Sequence, residues 1–464
     1  MNYELLFRKA GTRKVKAVMA GAGEFGFTFV FQSLRSRNID VPIIVNRTVS
    51  KGVDAFVNAG VRREDIVVCE SPKAAGENFS RGRRVVASSI EVIKELPVDV
   101  LVEATGNPEV GAASALTALE SGWHVVMVSK EVDSVVGPEL TAIAREKALV
   151  YTPGDGDQPS LLIGLITWAR TLGLNIVAAG KSSEYDFVYH SQEKTVSSNG
   201  ITIPAEELVG AWELGDRPVQ DLFEVRRRLF AALPQRAVPD LCEMGVVANA
   251  TGMKPDHPAF HAPVARPVEV PDFICPREMG GLLKHPGTLD IVNCLRRPDE
   301  ASMGGGVFVI VECQDATTWD VLAGKGHPIS RNRSCAMLYH PAHLLGVETG
   351  TSVLSAAVLG QSTGSDGARP VCDLVGRAEH DLQAGMILDM GGHHHTIDGV
   401  SAELADAGPV EGANPIPFYL MANQRLRCNV AAGKLITADM VDMDTASTLY
   451  RVRRSQDRRF FCDS

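Results

Sequence analysis

The sequence predicts an α/β protein: a doubly wound parallel sheet at the start of the chain, an α+β domain in the middle and a small β-rich module near the end. Three observations carry this. Short β-rich runs alternate with helix-length stretches through the first third, and a glycine-rich turn separates the first run from the first helix. From about Val150 that rhythm gives way to short apolar runs spaced by Pro, Gly and basic residues.

The runs 15–20, 43–46, 98–104 and 124–129 read as strands, and 24–37, 108–121 and 138–147 have helical length and composition. A Gly/Asp/Pro turn at 152–159 leads into an apolar helix candidate at 160–172, and the apolar run 175–179 reads as a further strand. Through 180–345 the spacing predicts long functional loops. Near the end, Asp381-Leu-Gln-Ala-Gly-Met-Ile-Leu388 and Asn429-Val-Ala-Ala-Gly-Lys-Leu-Ile436 share one layout, with Ala-Gly and an apolar pair in register. This predicts a pseudo-symmetric β module in which each glycine permits a tight turn. Two unrelated turn-plus-strand segments are the alternative. The five arginines within 451–459 read as a solvated tail or a subunit contact. The expected organisation is a dinucleotide-binding domain (1–150), a catalytic and dimerisation domain (151–345), the β module (346–445) and a basic tail (446–464).

The 464 residues call for more than one core, and 45% hydrophobic with 22% charged residues is ordinary for a globular protein. A formal net charge of -10 opposes broad attraction to nucleic acid. The nine cysteines are odd in number and hold no CxxC pair, which fits the cytoplasm. No apolar run reaches membrane-spanning length, and the N-terminal stretch has charges where a signal peptide needs an apolar core. Neither a membrane nor export is expected.

Gly21-Ala-Gly-Glu-Phe-Gly26 is a GxGxxG that follows a strand and opens a helix, the context of a Rossmann dinucleotide turn. Gly21 permits the tight turn, Gly23 the approach of the pyrophosphate and Gly26 close helix packing, with Glu24 and Phe25 opening the helix. The second strand ends Asn46-Arg47-Thr48-Val49-Ser50-Lys51, with no acid to accept from a ribose. Arg47 and Thr48 there favour a 2′-phosphate, hence NADPH; an exposed strand-end arginine is the plainer explanation. The later strand ends, with Thr105 and Gly106, then Ser129 and Lys130, line the expected crevice. Lys130 suits a carbonyl or hydroxyl oxygen during hydride transfer, or else a salt bridge to a neighbouring acid.

These residues resemble the homoserine dehydrogenase family over roughly 15–190: the glycine turn, Ala104-Thr-Gly106, Ser129-Lys130, and the Gly/Asp/Pro turn. The paired D/N-x-x-A-G repeats, with Lys434-Leu-Ile-Thr-Ala-Asp439, resemble the SAF domain of sialic acid synthases and type III antifreeze proteins. Taken whole, the chain resembles the DXR-like family, a second type of 1-deoxy-D-xylulose 5-phosphate reductoisomerase. The resemblance implies NADPH-dependent formation of 2-C-methyl-D-erythritol 4-phosphate for isoprenoid precursors, a divalent cation and a homodimer.

Such a reaction needs a cation on the substrate oxygens, a phosphate grip and a proton donor. Lys181-Ser-Ser-Glu-Tyr-Asp186 follows the 175–179 run and sets Glu184 and Asp186 on one side if the strand continues. With Asp157, and Asp155 beside it, they offer hard oxygens for Mg²⁺ or Mn²⁺; acids in a turn also serve as caps. The expected catalytic residues are Lys130, Lys181 and Glu184. Asp157, Asp186, Lys254, Arg277 and Lys284 are the expected substrate contacts, the last three, with Lys181, being the candidates for the phosphate. His393-His394-His395 reads as a loop apart from the acidic turn. The alternatives are an NADP-dependent dehydrogenase of a short polyol or sugar acid, and a redox-sensing regulator that binds NADP without turnover.

Overall fold

Val- and Ile-rich strands buried on both faces are the signature of a parallel sheet under helices, and the N-terminal strands show it. They are β1 (Val15–Ala20), β2 (Ile39–Val45), β3 (Ile66–Val68), β4 (Arg84–Ala87), β5 (Val100–Glu103), β6 (His124–Met127) and β7 (Tyr151–Pro153). In this computed structural model, which describes residues 1–11, 13–392 and 395–462, they form one sheet in the order β3-β4-β2-β1-β5-β6-β7, every pair parallel. Alternate residues serve different cores: Ala17 and Met19 pack to one side of β1, Val18 and Ala20 to the other. The order reverses between β1 and β5, so a crevice opens at their carboxyl ends.

The expected α/β architecture is present, with differences inside it. Helices Val49–Asn58 and Pro72–Ser80 and strands β3, β4 and β7 are additions. The helix expected to begin at Pro138 begins eight residues earlier and spans Lys130–Glu146, with Pro138 inside it and buried. A proline there forgoes one backbone hydrogen bond, so it is a poor start signal when the real start is fixed by the preceding strand end. No helix among the described residues is long and apolar enough to cross a membrane.

The second sheet is mixed. Strands β8 (Ile176–Ser182), β9 (Phe187–His190), β10 (Thr195–Ser198), β11 (Ile201–Pro204), β12 (Lys254–Pro255), β13 (Val264–Ala265), β14 (Thr288–Arg296), β15 (Val307–Glu312) and β16 (Cys335–His340) run β11-β10-β9-β14-β8-β15-β16, with β12 and β13 beside β14. Helices Gln158–Thr171 and Val238–Thr251 pack through Leu162, Ile166, Leu241 and Met244 into the core shared with Ala179, Leu289 and Val309. The opposite face carries Val292, Phe308 and Ile310 against Leu222 and Phe273. Lys181 lies on β8 two residues beyond Ala179, and so points to the Val238–Thr251 side.

In the C-terminal module, β17 (Cys372–Ala378), β18 (Met390–Gly391), β19 (Thr396–Ile397) and β20 (Val400–Asp406) make a sheet ordered β17-β20-β19-β18. The two repeats meet each other. Leu382 and Val430 exchange backbone hydrogen bonds of 2.9 Å each. Asn429 Oδ1 accepts from Ala384 N, and Asp381 Oδ1 from Ala432 N, both at 2.8 Å. Gly385 and Gly433 take φ of 86° and 79°, the left-handed turn each repeat requires.

The basic tail expected at 446–464 is instead a packed helix, Thr448–Phe460. Arg453 is fully buried, with both Asp373 oxygens at 2.7 Å and Asp457 at 2.9 Å. Arg459 Nε reaches Glu139 at 2.6 Å. Glu109 caps the helix, accepting from the Thr448 and Leu449 N–H groups and the Ser447 hydroxyl. A buried arginine with a full set of acceptors is indistinguishable by composition from a solvated one.

Candidate active site

The glycine turn has the shape its sequence calls for. Gly21 has φ 98°, and a Cβ there would stand 2.4 Å from the Ala104 carbonyl oxygen; one on Gly26 would stand 2.1 Å from that of Gly21. A Cβ on Gly23 would meet nothing within 4 Å, so the space above it is open. Gly23 caps the helix Glu24–Ser33 without any side-chain hydrogen bond, which leaves the first backbone N–H groups aimed at that space. Glu24 is exposed and Phe25 half-buried at the helix start. These features fit a dinucleotide pyrophosphate. Asn46 shapes the neighbouring loop, accepting from Ala22 N at 3.0 Å and donating to the Thr48 carbonyl at 2.8 Å. Arg47 and Thr48 are exposed beside it.

At the end of β5 stands Glu103, which no motif singles out and which is fully buried. Its Oε1 accepts from Thr105 N at 3.0 Å and from the Thr105 hydroxyl, while Gly106 N donates to Ser129 Oγ at 2.9 Å. Thr105 and Ser129 thus hold the strand-end loop in shape. Burial pushes the Glu103 carboxyl up to about 7, against the opposing hydrogen bonds of Ser129 and Thr105.

A charged cluster lies beside this loop. Lys130 opens the helix Lys130–Glu146, Lys181 sits on β8, and Asp240 and Glu243 stand three residues apart on one face of Val238–Thr251. Glu243 bonds both lysines, one through each oxygen. Lys181 Nζ also reaches Asp240 at 2.6 Å, and Asp240 accepts from the Ser183 hydroxyl at 2.9 Å. Asp157 Oδ1 lies 4.0 Å from Lys130 Nζ. Lys181 and Glu243 are each 1% exposed, whereas Lys130 keeps 19% and Asp157 13%, so the cluster opens on the Lys130 side.

Burial opposes charge throughout this cluster, and the neighbours decide the outcome. For Glu243 the two lysines outweigh burial and bring the carboxyl down to about 2. For Lys130, Asp157 and Glu243 outweigh it and hold the ammonium well above the usual range. Asp157 is the exception: burial prevails over Lys130, and its carboxyl is raised. His343 stands close enough to act on Asp157 electrostatically, with its Nδ1 2.9 Å from the Gly305 carbonyl oxygen.

Other expected residues fall elsewhere. β8 stops at Ser182 and the chain bends at Glu184, so Glu184 is exposed and does not share a strand face with Asp186. Asp186 is taken by Arg296 Nε at 2.5 Å. Asp155 accepts from Ser160 Oγ at 2.5 Å, and Asp157 caps the Gln158–Thr171 helix. Among the described residues no three His, Cys, Asp or Glu side chains are grouped to hold a metal ion, so the set Asp157, Glu184 and Asp186 is not assembled. Of the phosphate candidates, Lys181 is inside the cluster, tied to Asp240 and Glu243, whereas Lys254, Arg277 and Lys284 lie outside it. Lys254, on β12 opposite Thr288, is exposed and pairs with Asp406 at 2.5 Å; Lys181 is level with Ile291, about 10 Å further along β14 at roughly 3.3 Å per residue. Arg277 and Lys284 are exposed, and Arg277 Nε donates to the Leu282 carbonyl at 3.3 Å. Of the histidine triplet, His393 and His394 lie outside the described residues, and His395 reaches Glu131, with Nδ1 and Oε1 2.7 Å apart.

Residues 59–152 match the family described as homoserine dehydrogenase, NAD binding domain, and residues 236–349 match oxidoreductase DRL, catalytic domain. The first match includes Glu103, Ser129 and Lys130, the second Asp240, Glu243 and His343. No curated protein matches the chain. Among solved structures it is similar to 1-deoxy-D-xylulose 5-phosphate reductoisomerase from Zymomonas mobilis in complex with NADPH, at 18% identity over 37% of this chain and 46% of that one, TM-score 0.28. It is also similar to myo-inositol 2-dehydrogenase from Lactobacillus plantarum, at 8% identity over 75% of this chain and 91% of that one, TM-score 0.35. The chain thus spans about half the length of the first of these, 46%. The two matches fall on the two larger sheets, one being described as an NAD binding domain and the other as an oxidoreductase catalytic domain.

Proposed function

We propose that the chain is an NADPH-preferring dehydrogenase that interconverts a carbonyl and a hydroxyl on a short polyol or sugar acid lying between the glycine turn and Lys130. The shared carboxylate supports this most: Glu243 grips two lysines at once, with Lys130 toward the cleft and Lys181 sealed behind it. The dinucleotide, when bound, supplies or accepts the hydride. The chain does the rest. Lys130 Nζ donates a hydrogen bond to the substrate oxygen and holds the proton that oxygen takes as it gains charge. Lys181 is a positioning residue: it fixes Glu243, which fixes Lys130. Asp157, with its raised carboxyl 4.0 Å from Nζ, is placed to restore the proton. Exposed Arg47 meets the 2′-phosphate and gives the preference for NADPH.

A second reading is the reductoisomerase acting on 1-deoxy-D-xylulose 5-phosphate, favoured by the match of residues 236–349 to the DRL catalytic domain. It calls for a phosphate grip and a bridging cation. The nominated residues for the cation do not fit one as they stand, Asp186 being held by Arg296.

The two readings separate in one screen. Purified protein is incubated with NADPH and short ketoses, oxidised sugar acids and their phosphates, 1-deoxy-D-xylulose 5-phosphate included, with Mg²⁺, Mn²⁺ or EDTA. NADPH consumption on unphosphorylated substrates that resists EDTA is the expected result. Turnover confined to 1-deoxy-D-xylulose 5-phosphate, requiring a cation and blocked by fosmidomycin, replaces it with the reductoisomerase. NADPH consumed with no substrate on the panel, and none formed from NADP⁺ with the corresponding alcohols, overturns both.

A further inference from the structure

The hairpin of β18 and β19 carries His395 from the C-terminal module to the cleft, 264 residues along the chain from its partner Glu131. Glu131 follows Lys130 on the same helix turn, and its side chain is 8% exposed. The His395 ring also lies on the loop after β5. A Cβ built on Gly106 would fall 2.7 Å from the ring Cε1 and 3.5 Å from Nε2. Gly106 is the residue whose N–H is held by Ser129, so the ring rests on the shaped strand-end loop rather than on a surface turn.

The two ring nitrogens are in different situations. Nδ1 is 2.7 Å from a buried carboxylate and carries its hydrogen there. Nε2 has no hydrogen-bond partner among the described residues, and the ring is half-buried rather than sealed. A histidine oriented by a carboxylate at one nitrogen and open at the other is set up to contact a bound group.

Position in the sheet says which group. In a doubly wound sheet the adenosine half lies over β2, where Arg47 stands, and the nicotinamide half over the ends of β5 and β6. Gly106 follows β5, and Lys130 and Glu131 follow β6. The module is also anchored so that the hairpin is held in place. Tyr419 is buried in the module with its phenol beside Cys242, Glu131 and Glu243, and Arg453 joins Asp373 of β17 to the Val135 carbonyl of the Lys130–Glu146 helix at 3.4 Å.

We infer that His395 is a cofactor-binding residue contributed by the C-terminal module, its Nε2 hydrogen-bonding a hydroxyl of the nicotinamide half of the bound dinucleotide. This rests on the reading that the Gly21–Gly26 turn holds that dinucleotide. The test is NADPH binding by fluorescence titration, with melting temperature in the absence of cofactor, for the full chain and for His395→Ala, His395→Gln and His395→Asn. A glutamine amide reaches the place of Nε2, whereas an asparagine amide reaches only that of Nδ1. His395→Ala raises the NADPH Kd about tenfold, the loss of one good hydrogen bond, with the melting temperature held. His395→Gln recovers most of that affinity and His395→Asn does not. An unchanged Kd in His395→Ala overturns the inference. So does rescue by Asn in place of Gln, which makes His395 a prop for Glu131. Failure of the unaltered protein to bind NADPH overturns the dinucleotide reading and this inference together.

Discussion

Two buried ion clusters touch the same long helix, Lys130–Glu146, one through Lys130 and the other through the Val135 carbonyl, and they differ in how they end. Around Arg453 every partner is inside: Asp373 and Asp457 close on a guanidinium with no exposed edge. Around Glu243 the chain of charges runs outward, from Lys181 at 1% exposure to Lys130 at 19%. Both clusters cost desolvation, and burial alone does not separate a structural network from a chemical one. The difference is the open edge, which gives Lys130 something to act on and leaves Arg453 only its helix to hold.

That contrast predicts opposite consequences for two substitutions. Lys130→Met lowers kcat/KM by about 10²–10⁴, the usual range for a removed proton-transfer group, while the melting temperature and NADPH affinity stay near those of the unaltered protein. A large fall in melting temperature with activity retained would assign Lys130 to the Arg453 kind of cluster. Arg453→Ala does the reverse. It strands Asp373 and Asp457 and costs about 3–5 kcal/mol of stability, measured by urea denaturation, with NADPH binding preserved in the protein that remains folded.

Glu103 sharpens the comparison through pH. Its folded pKa, about 7, lies above the ordinary 4.5, so ionisation favours the unfolded chain. Its contribution to stability therefore falls as pH rises from about 4.5 to 7 and is level above that. Glu103→Gln removes this dependence, and unfolding at pH 5 and pH 8 should show the variant gaining on the unaltered protein by on the order of 3 kcal/mol at the higher pH. An equal difference at both pH values would mean that Glu103 ionises without penalty.

Smaller effects mark the edges of the site. Arg47→Glu raises the NADPH Kd by about ten- to a hundredfold, the worth of a charged hydrogen bond, and leaves the NADH Kd within a few-fold. Equal loss with both cofactors removes Arg47 from the 2′-phosphate. Lys254→Ala, which breaks only an exposed pair with Asp406, should leave substrate KM unchanged within about twofold. A tenfold rise in KM would bring the phosphate reading back.

What could be read in the sequence was local. A GxGxxG between a strand and a helix fixes backbone geometry within six residues, and Lys130 follows from the strand-end rule alone. The two repeats around Gly385 and Gly433 were legible because each glycine serves its own turn. The chemistry of the cluster was not, because it is made by pairings far apart in the chain. Lys130 meets Glu243 across 113 residues and Lys181 meets it across 62. Asp240 and Glu243 look like any acids at helical spacing until that helix is laid on β8. The position of Glu184 is hidden for a related reason: nothing in Lys181-Ser-Ser-Glu-Tyr-Asp186 signals that the strand stops at Ser182. Arg453 looks like a tail residue in the sequence because charge composition does not report burial.

On the proposed reading, the open edge of the Glu243 cluster faces the bound nicotinamide. A crystal structure of the protein with NADP⁺ tests it most directly. The account predicts the pyrophosphate over Gly23, the 2′-phosphate at Arg47 and the nicotinamide ring beside Lys130 and His395, leaving room for a substrate oxygen at Nζ. A nicotinamide turned away from Lys130, with the Glu243 cluster closed off from the cofactor, would contradict it.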